Sequence, residues 1–231
     1  MNLKASSIAE TAARKDVGGI LVFGKYMVQA GMKPYDYPIR LYKDMEWFIL
    51  AREGTKMLLL SRDCIDWDFI DGTSRPQTWE NCYVRKELLP AFLSDSFTEQ
   101  EMSLITPVRV HIEDSLLYGT KGGADTDDFV FLLSTEEFRK YVFPEAAAAP
   151  LFQLDQPEIS GPERGSRYEL FQPDTCWWLR SPGADQSSNA IVNERGELDE
   201  AGLDNSADEV GIRPALWIDL ALAGVKEDLP F

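Results

Sequence analysis

The last third of the chain constrains the fold most tightly. It holds two short apolar runs, each ended by a residue that forbids continuation. Trp177-Trp178-Leu179-Arg180 is stopped by Ser181-Pro182-Gly183, and Gly211-Ile212-Arg213 is broken by Pro214 before Ala215-Leu216. Proline has no N–H for a ladder or a helix interior, so these runs read as short strands at bends. Ala190-Ile191-Val192 is a further strand between them, and 210–218 reads as one bent strand interrupted by Pro214. The connections 184–189 and 193–209 are polar, and the second is the most acidic part of the chain. Adjacent strand residues face opposite sides. One of Trp177 and Trp178 is therefore expected in the core, and the other, taken as Trp178, is a candidate for lining a sugar or peptide groove.

Upstream, 20–23 reads as a first buried strand, and Lys33-Pro34-Tyr35-Asp36-Tyr37-Pro38 as a turn. The apolar runs 46–50 and 56–61 flank Gly54 and predict a β-hairpin. Thr78 is placed to cap a helix reaching about Phe92, with Trp79, Cys82 and Leu89 inward and Pro90 near its end. Thr98-x-x-Glu101 and Ser134-x-x-Glu137 are capping boxes, and 129–133 is a buried strand leading into the second. Residues 5–14 suit a short surface helix. From 143 to 174, five prolines and an alanine run leave no sustained period, so a long irregular excursion is expected there. The strand-like remainder is too short to bury a core alone. The division expected is therefore a 1–17 extension, with a short helix, followed by a single domain over 18–231.

Composition narrows the functional classes. Asp plus Glu number 39 against 23 Lys plus Arg, a net charge of −16. That excess repels a phosphate backbone and an anionic bilayer, so neither nucleic-acid binding nor membrane insertion is expected. No stretch approaches the roughly 20 apolar residues a span needs, and 1–14 lacks the apolar centre of a signal peptide. The expectation is a soluble cytoplasmic protein, or an exported one where a leader has been removed. Cys64, Cys82 and Cys176 form no C-x-x-C pair and His111 is the single histidine. A disulfide framework, a structural zinc site and a Ser-His-Asp triad all lack material.

At the closing motifs the chain resembles an uncharacterised bacterial domain family of gut Firmicutes, marked by W-W-L-R-S-P-G followed by G-[VI]-R-P-A-L. The resemblance spans about 18–220. It takes in the opening strand, Glu46-Trp47-x-Ile49-Leu50, Leu58-Leu59-Leu60-Ser61, Trp79-Glu80 with Arg85, and Val130-Phe131-Leu132-Leu133-Ser134. Cys82 stands where the family usually has Ser. The family is in turn similar to the C-type-lectin-like superfamily, which includes the formylglycine-generating type of enzyme. The resemblance implies an α+β, C-type-lectin-like fold: short antiparallel sheets, two or three helices, long irregular loops, and an N-terminal strand pairing near the C-terminal one. Shared fold carries no function by itself.

Candidate ligand-binding residues are Trp178, Arg180, Asp185, Asn189, Asn193, Asp204 and Asn205; Trp47, Trp79, Arg85, Trp177 and Arg213 are expected to be structural. Arg180 and Arg213 suit anion clamping by the guanidinium fork. They equally suit burial against loop carbonyls or a carboxylate such as Glu46, Glu80 or Asp128, which is the stronger expectation because a buried charge must be paired. The acidic loop has the oxygen donors calcium wants but no EF-hand pattern, so calcium is a weak candidate and no other cofactor is expected. His111 with Glu113 and Asp114 makes an acid/base grouping, although a lone histidine is more often structural. No catalytic residue is assigned. The leading expectation is a non-enzymatic binding module for a protein or carbohydrate partner. The alternatives are an oxidase of the formylglycine-generating type, or a degenerate relative, and a structural domain of a larger assembly.

Overall fold

The apolar runs 20–23, 46–50 and 56–61 all lie within paired strands. A computed structural model of the protein describes residues 5–30, 39–142 and 176–223; the turn read over 33–38 and the excursion over 143–174 lie outside them. α1 (Ala5–Ala13) turns Ile8, Ala9 and Ala12 into the core and packs on the 3-10 turn Leu220–Ala223. β1 (Ile20–Ala30) and β2 (Ile39–Glu53) pair antiparallel, and β2 returns through Gly54-Thr55 into β3 (Lys56–Ser61), the hairpin expected. β1 is bulged at Gly24, whose φ is 77°. A Cβ there would fall 2.5 Å from the Phe97 ring, so only glycine lets that ring close against the strand. Phe97 stacks within 5.0 Å of Phe23 and 5.8 Å of Phe92, and Trp47 donates its Nε1–H to the Phe23 carbonyl at 2.6 Å.

The helical region departs from the expected single capped helix. Thr78 makes no side-chain cap. A 3-10 turn, Trp79–Asn81, is followed by a π-helical turn, Val84–Leu88, which runs directly into α2 (Leu89–Ser96). Pro90 supplies the physical reason: without an N–H, and with a ring that crowds the carbonyl four residues back, it cannot follow a regular turn, and the wider winding accommodates it. Both capping boxes form as expected, at the starts of α3 (Glu99–Met102) and α4 (Thr135–Tyr141).

After β4 (Asp66–Trp67) come β5 (Ile105–Thr106), β6 (Val108–Val110), β7 (Thr126–Asp128) and β8 (Val130–Phe131). The last third supplies β9 (Trp177–Pro182), β10 (Ser188–Val192), β11 (Leu198–Asp204), β12 (Gly211–Ile212) and β13 (Ala215–Asp219). One sheet runs β1-β2-β3-β13-β5, with β8 also on β13; a second runs β11-β10-β9-β12-β4; β6 and β7 form a ribbon. Among the described residues all pairings are antiparallel except β9 with β12.

Two segments differ from the expectation. The acidic connection 193–209 contains a seven-residue strand, β11, that pairs with β10. The bent strand 210–218 is two strands in two different sheets, and Pro214 sits at the crossing. The architecture is α+β, with three helices of seven or more residues among the described residues. The C-terminal strand β13 pairs with β3, and β1 lies in the same sheet with β2 and β3 between them. Among the described residues no helix is long and apolar enough to cross a membrane.

Candidate functional site

The closing motifs fold inward. Trp177 and Trp178 leave β9 on opposite faces, yet both are fully buried because elements cover the strand on each side. Trp177 meets Phe138 of α4 edge-on at 5.8 Å, and Trp178 donates its Nε1–H to the Asp68 carbonyl at 2.9 Å. Arg180 is 3 % exposed. Its Nη1 donates to the Leu132 carbonyl at 2.6 Å and to the Glu137 carboxylate, and its Nη2 to the His111 carbonyl at 3.3 Å. Its carboxylate partner is thus Glu137; Glu46 instead pairs with Arg62, and Asp128 with Arg85.

Arg213, fully buried, donates Nε to the Ser61 carbonyl at 2.8 Å and Nη2 to the Arg62 carbonyl at 2.7 Å. The Trp177 ring lies 5.1 Å from its guanidinium carbon and the Phe48 ring 5.8 Å. Burial pulls Arg213 down to about 10. Gly211, just before it, faces Cys64: a Cβ at 211 would fall 2.4 Å from the Cys64 sulfur.

Trp47 is fully buried, and Trp79, likewise buried, donates to Asp128 at 3.0 Å. Arg85 Nε reaches the same carboxylate at 2.8 Å, and the Thr126 hydroxyl does so at 2.6 Å.

The acidic loops close into a rim beside these motifs. Asp71 N–H donates to the Asn205 carbonyl at 3.1 Å, and Asn205 N–H to the Ser187 carbonyl at 2.8 Å. Asp71 Oδ2 accepts from Thr73 Oγ1 at 2.8 Å and from Gln77 Nε2 at 3.1 Å, while Ser74 donates to Asp204 at 3.1 Å. Gln77 and Gln186 bond reciprocally, each at 2.9 Å. Three segments, 71–77, 185–188 and 204–206, are thereby fastened together. Asp185 and Asp204 are exposed, and donors on Ser187 and Ser206 respectively hold both carboxyls below the usual range.

The other expected ligand residues separate from this pair. Asn193 is half-buried and closes the β10–β11 turn by donating to Glu197 and accepting from the N–H groups of Arg195 and Glu197. Asn189 is buried, its amide aimed at the carbonyls of Leu179, Arg180 and Ser181. Asn205 is fully buried, with neither side-chain amide atom bonded. Of the seven, Asp185 and Asp204 therefore reach the surface, Asn193 in part, while Trp178, Arg180, Asn189 and Asn205 lie inside.

A second polar cluster surrounds the outer end of Arg180. His111 Nδ1 lies 2.8 Å from Asp125 Oδ1. The Glu113 carboxyl is pushed up to about 7, by burial first and then by a hydrogen bond to Glu136 and that residue's charge; His111 and Arg180 oppose the shift. The pair can hold a proton near neutrality. Glu136 had no signal of its own in the sequence, although the 134–137 capping box fixes it in the first turn of α4. The thiols sit differently: burial pushes Cys64 up to about 11 and Cys82 up to about 12. Both are held protonated at neutral pH. Among the described residues no group of three or more His, Cys, Asp or Glu is arranged to hold a metal.

No curated protein and no solved structure matches the chain. One family model does, over residues 54–220, which take in the hairpin turn, the rim and both closing motifs. The chain belongs to the family described as Domain of unknown function (DUF6273).

Proposed function

We propose that the domain is a non-enzymatic binding module of lectin-like type, presenting its acidic rim to a protein or carbohydrate ligand. One observation carries the reading: Asp185 and Asp204 stand ionised and exposed on three mutually bonded loop segments, beside motifs whose own polar groups are turned inward. Preorganised loops on a packed scaffold bind with little ordering cost. The test is binding of the protein and of its D185N/D204N variant to glycan and peptide arrays. A ligand held by the wild type and lost by the folded variant is the expected result. Equal retention by the variant, or no ligand on either array, overturns the reading.

A second reading, an enzyme, is favoured by the Glu113–Glu136 pair, since a carboxyl poised near 7 suits general acid/base work. An oxidase of the formylglycine-generating type would need reactive thiols, and burial of Cys64 and Cys82 works against thiolate formation at either.

A further inference from the structure

The segment just before the rim carries a feature the rim does not use. β4 is the outer strand of the second sheet, and its Trp67 is 56 % exposed. Of the six tryptophans, four are fully buried and Trp217 is partly so; Trp67 alone stands largely in water. The edge does not invite another strand. The N–H groups of Trp67 and Phe69 are each taken at 2.9 Å by the carboxylate of the preceding residue, Asp66 and Asp68. What the edge offers is side chains.

Two residues beyond Trp67, the Phe69 ring packs on Tyr83, centroids 5.2 Å apart and tilted 47°. Asp71 accepts the Tyr83 N–H at 3.1 Å, so the tyrosine is tied to the first residue of the rim. Three carboxylates act on the Tyr83 end of this surface, and two of them, Asp66 and Asp68, flank Trp67 in the chain. The Tyr83 hydroxyl is raised by burial first and then by the charges of Asp68, Asp66 and Glu87, the last lying one helical turn beyond it. Asp66 is itself raised by burial, with Asp68 adding to the effect. Among the described residues none of Asp66, Asp68 and Glu87 is ion-paired with a lysine or arginine. Aromatic faces next to uncompensated negative charge attract an organic cation, because the ring quadrupole and the carboxylates act in the same direction.

We propose that Trp67, Phe69 and Tyr83, in the field of Asp66, Asp68 and Glu87, form a recognition site for a lysine or arginine side chain on a basic peptide segment of a partner protein. This rests on the binding-module reading and names its ligand. A neutral sugar would stack on Trp67 but gain little from three unpaired charges, and an anionic ligand would be repelled. A peptide fits better than a free amine because the negative track continues from Tyr83 through Asp71 to Asp204. An extended chain advances about 3.3 Å per residue, so successive basic side chains can follow that track.

The experiment titrates the protein with acetyl-tetralysine amide, reading calorimetric heat, with the change in tryptophan fluorescence between wild type and W67F as a second signal. W67A, W67F and D66N/D68N are run beside the wild type, with melting curves to confirm that each folds. Saturable binding is expected, weakened roughly five- to thirty-fold in W67A, partly restored in W67F, and weakened in D66N/D68N. Because a chain of charge −16 attracts any polycation, the aromatic dependence is decisive. Binding that W67A leaves unchanged overturns this site. If that binding is lost in D185N/D204N instead, the module reading stands while the aromatic site falls. No peptide binding alongside a rim-dependent glycan also overturns the inference alone; no ligand of either kind removes both.

Discussion

At the scale of single residues, Glu113 makes the sharpest thermodynamic claim. Its carboxyl sits at about 7 in the folded protein, against an ordinary value of 4.5. Between those values the folded state holds a proton that the unfolded chain has released, so stability falls as pH rises through that interval and levels off above 7. E113Q cannot titrate and lacks this decline. The variant should therefore gain on the wild type by about 1 kcal/mol between pH 4.5 and 8, a figure kept small because solvent screens this half-exposed pair. Melting temperatures of both proteins at the two pH values check it, and an identical wild-type-to-variant difference at both would sink it. His111 and Glu113 were legible as an acid/base grouping because they lie two apart. Glu136 was not, since nothing in a linear sequence brings α4 to that strand end. Asn205 shows the opposite failure: read from its acidic, loop-like surroundings it belonged outside, but the bonds from Asp71 and to Ser187 draw it fully inside.

Among the elements, local chemistry was readable, and pairing was readable only where a tight turn joins the strands, as in the β2–β3 hairpin. Thr98 and Ser134 announced their helices because a capping box is closed by residues three apart, and both boxes form. β11 gave no signal, because Leu-Asp-Glu-Ala-Gly-Leu-Asp has no apolar alternation and is extended only by its pairing with β10. The two capping glutamates also do unequal work beyond their caps. Glu101 reaches across to the Gly24 N–H of β1 at 3.2 Å, and Glu137 to the buried guanidinium of Arg180. Removing Glu101 leaves an unpaired amide and an open cap, a loss of about 1–2 kcal/mol. Removing Glu137 strands a charge that is 3 % exposed, so E137A should cost about 3 kcal/mol. Urea denaturation of E101A and E137A gives both numbers, and equal losses would show that Arg180 does not depend on Glu137.

For the molecule as a whole, the segment from Gly211 to Asp219 decides how it unfolds. Gly211 and Ile212 lie between β9 and β4 in the second sheet; five residues on, Trp217 and Ile218 lie between β3 and β5 in the first. Each sheet therefore has an inner strand drawn from the same short stretch, and Arg213, between them, bonds the carbonyls of Ser61 and Arg62 at the end of β3. Neither sheet can lose its inner strand without pulling on the other's, so the two should melt together despite their separate hydrogen-bond ladders. I212A and I218A each delete a fully buried side chain, one in each sheet, at a cost of about 2–4 kcal/mol. In a chain of this size, that lowers the melting temperature by roughly 4–16 °C. Calorimetry should give one transition for the wild type and for both variants, with calorimetric and van't Hoff enthalpies equal. Two resolved transitions in either variant would mean that Pro214 is a joint between independent halves, not the point at which one core is closed.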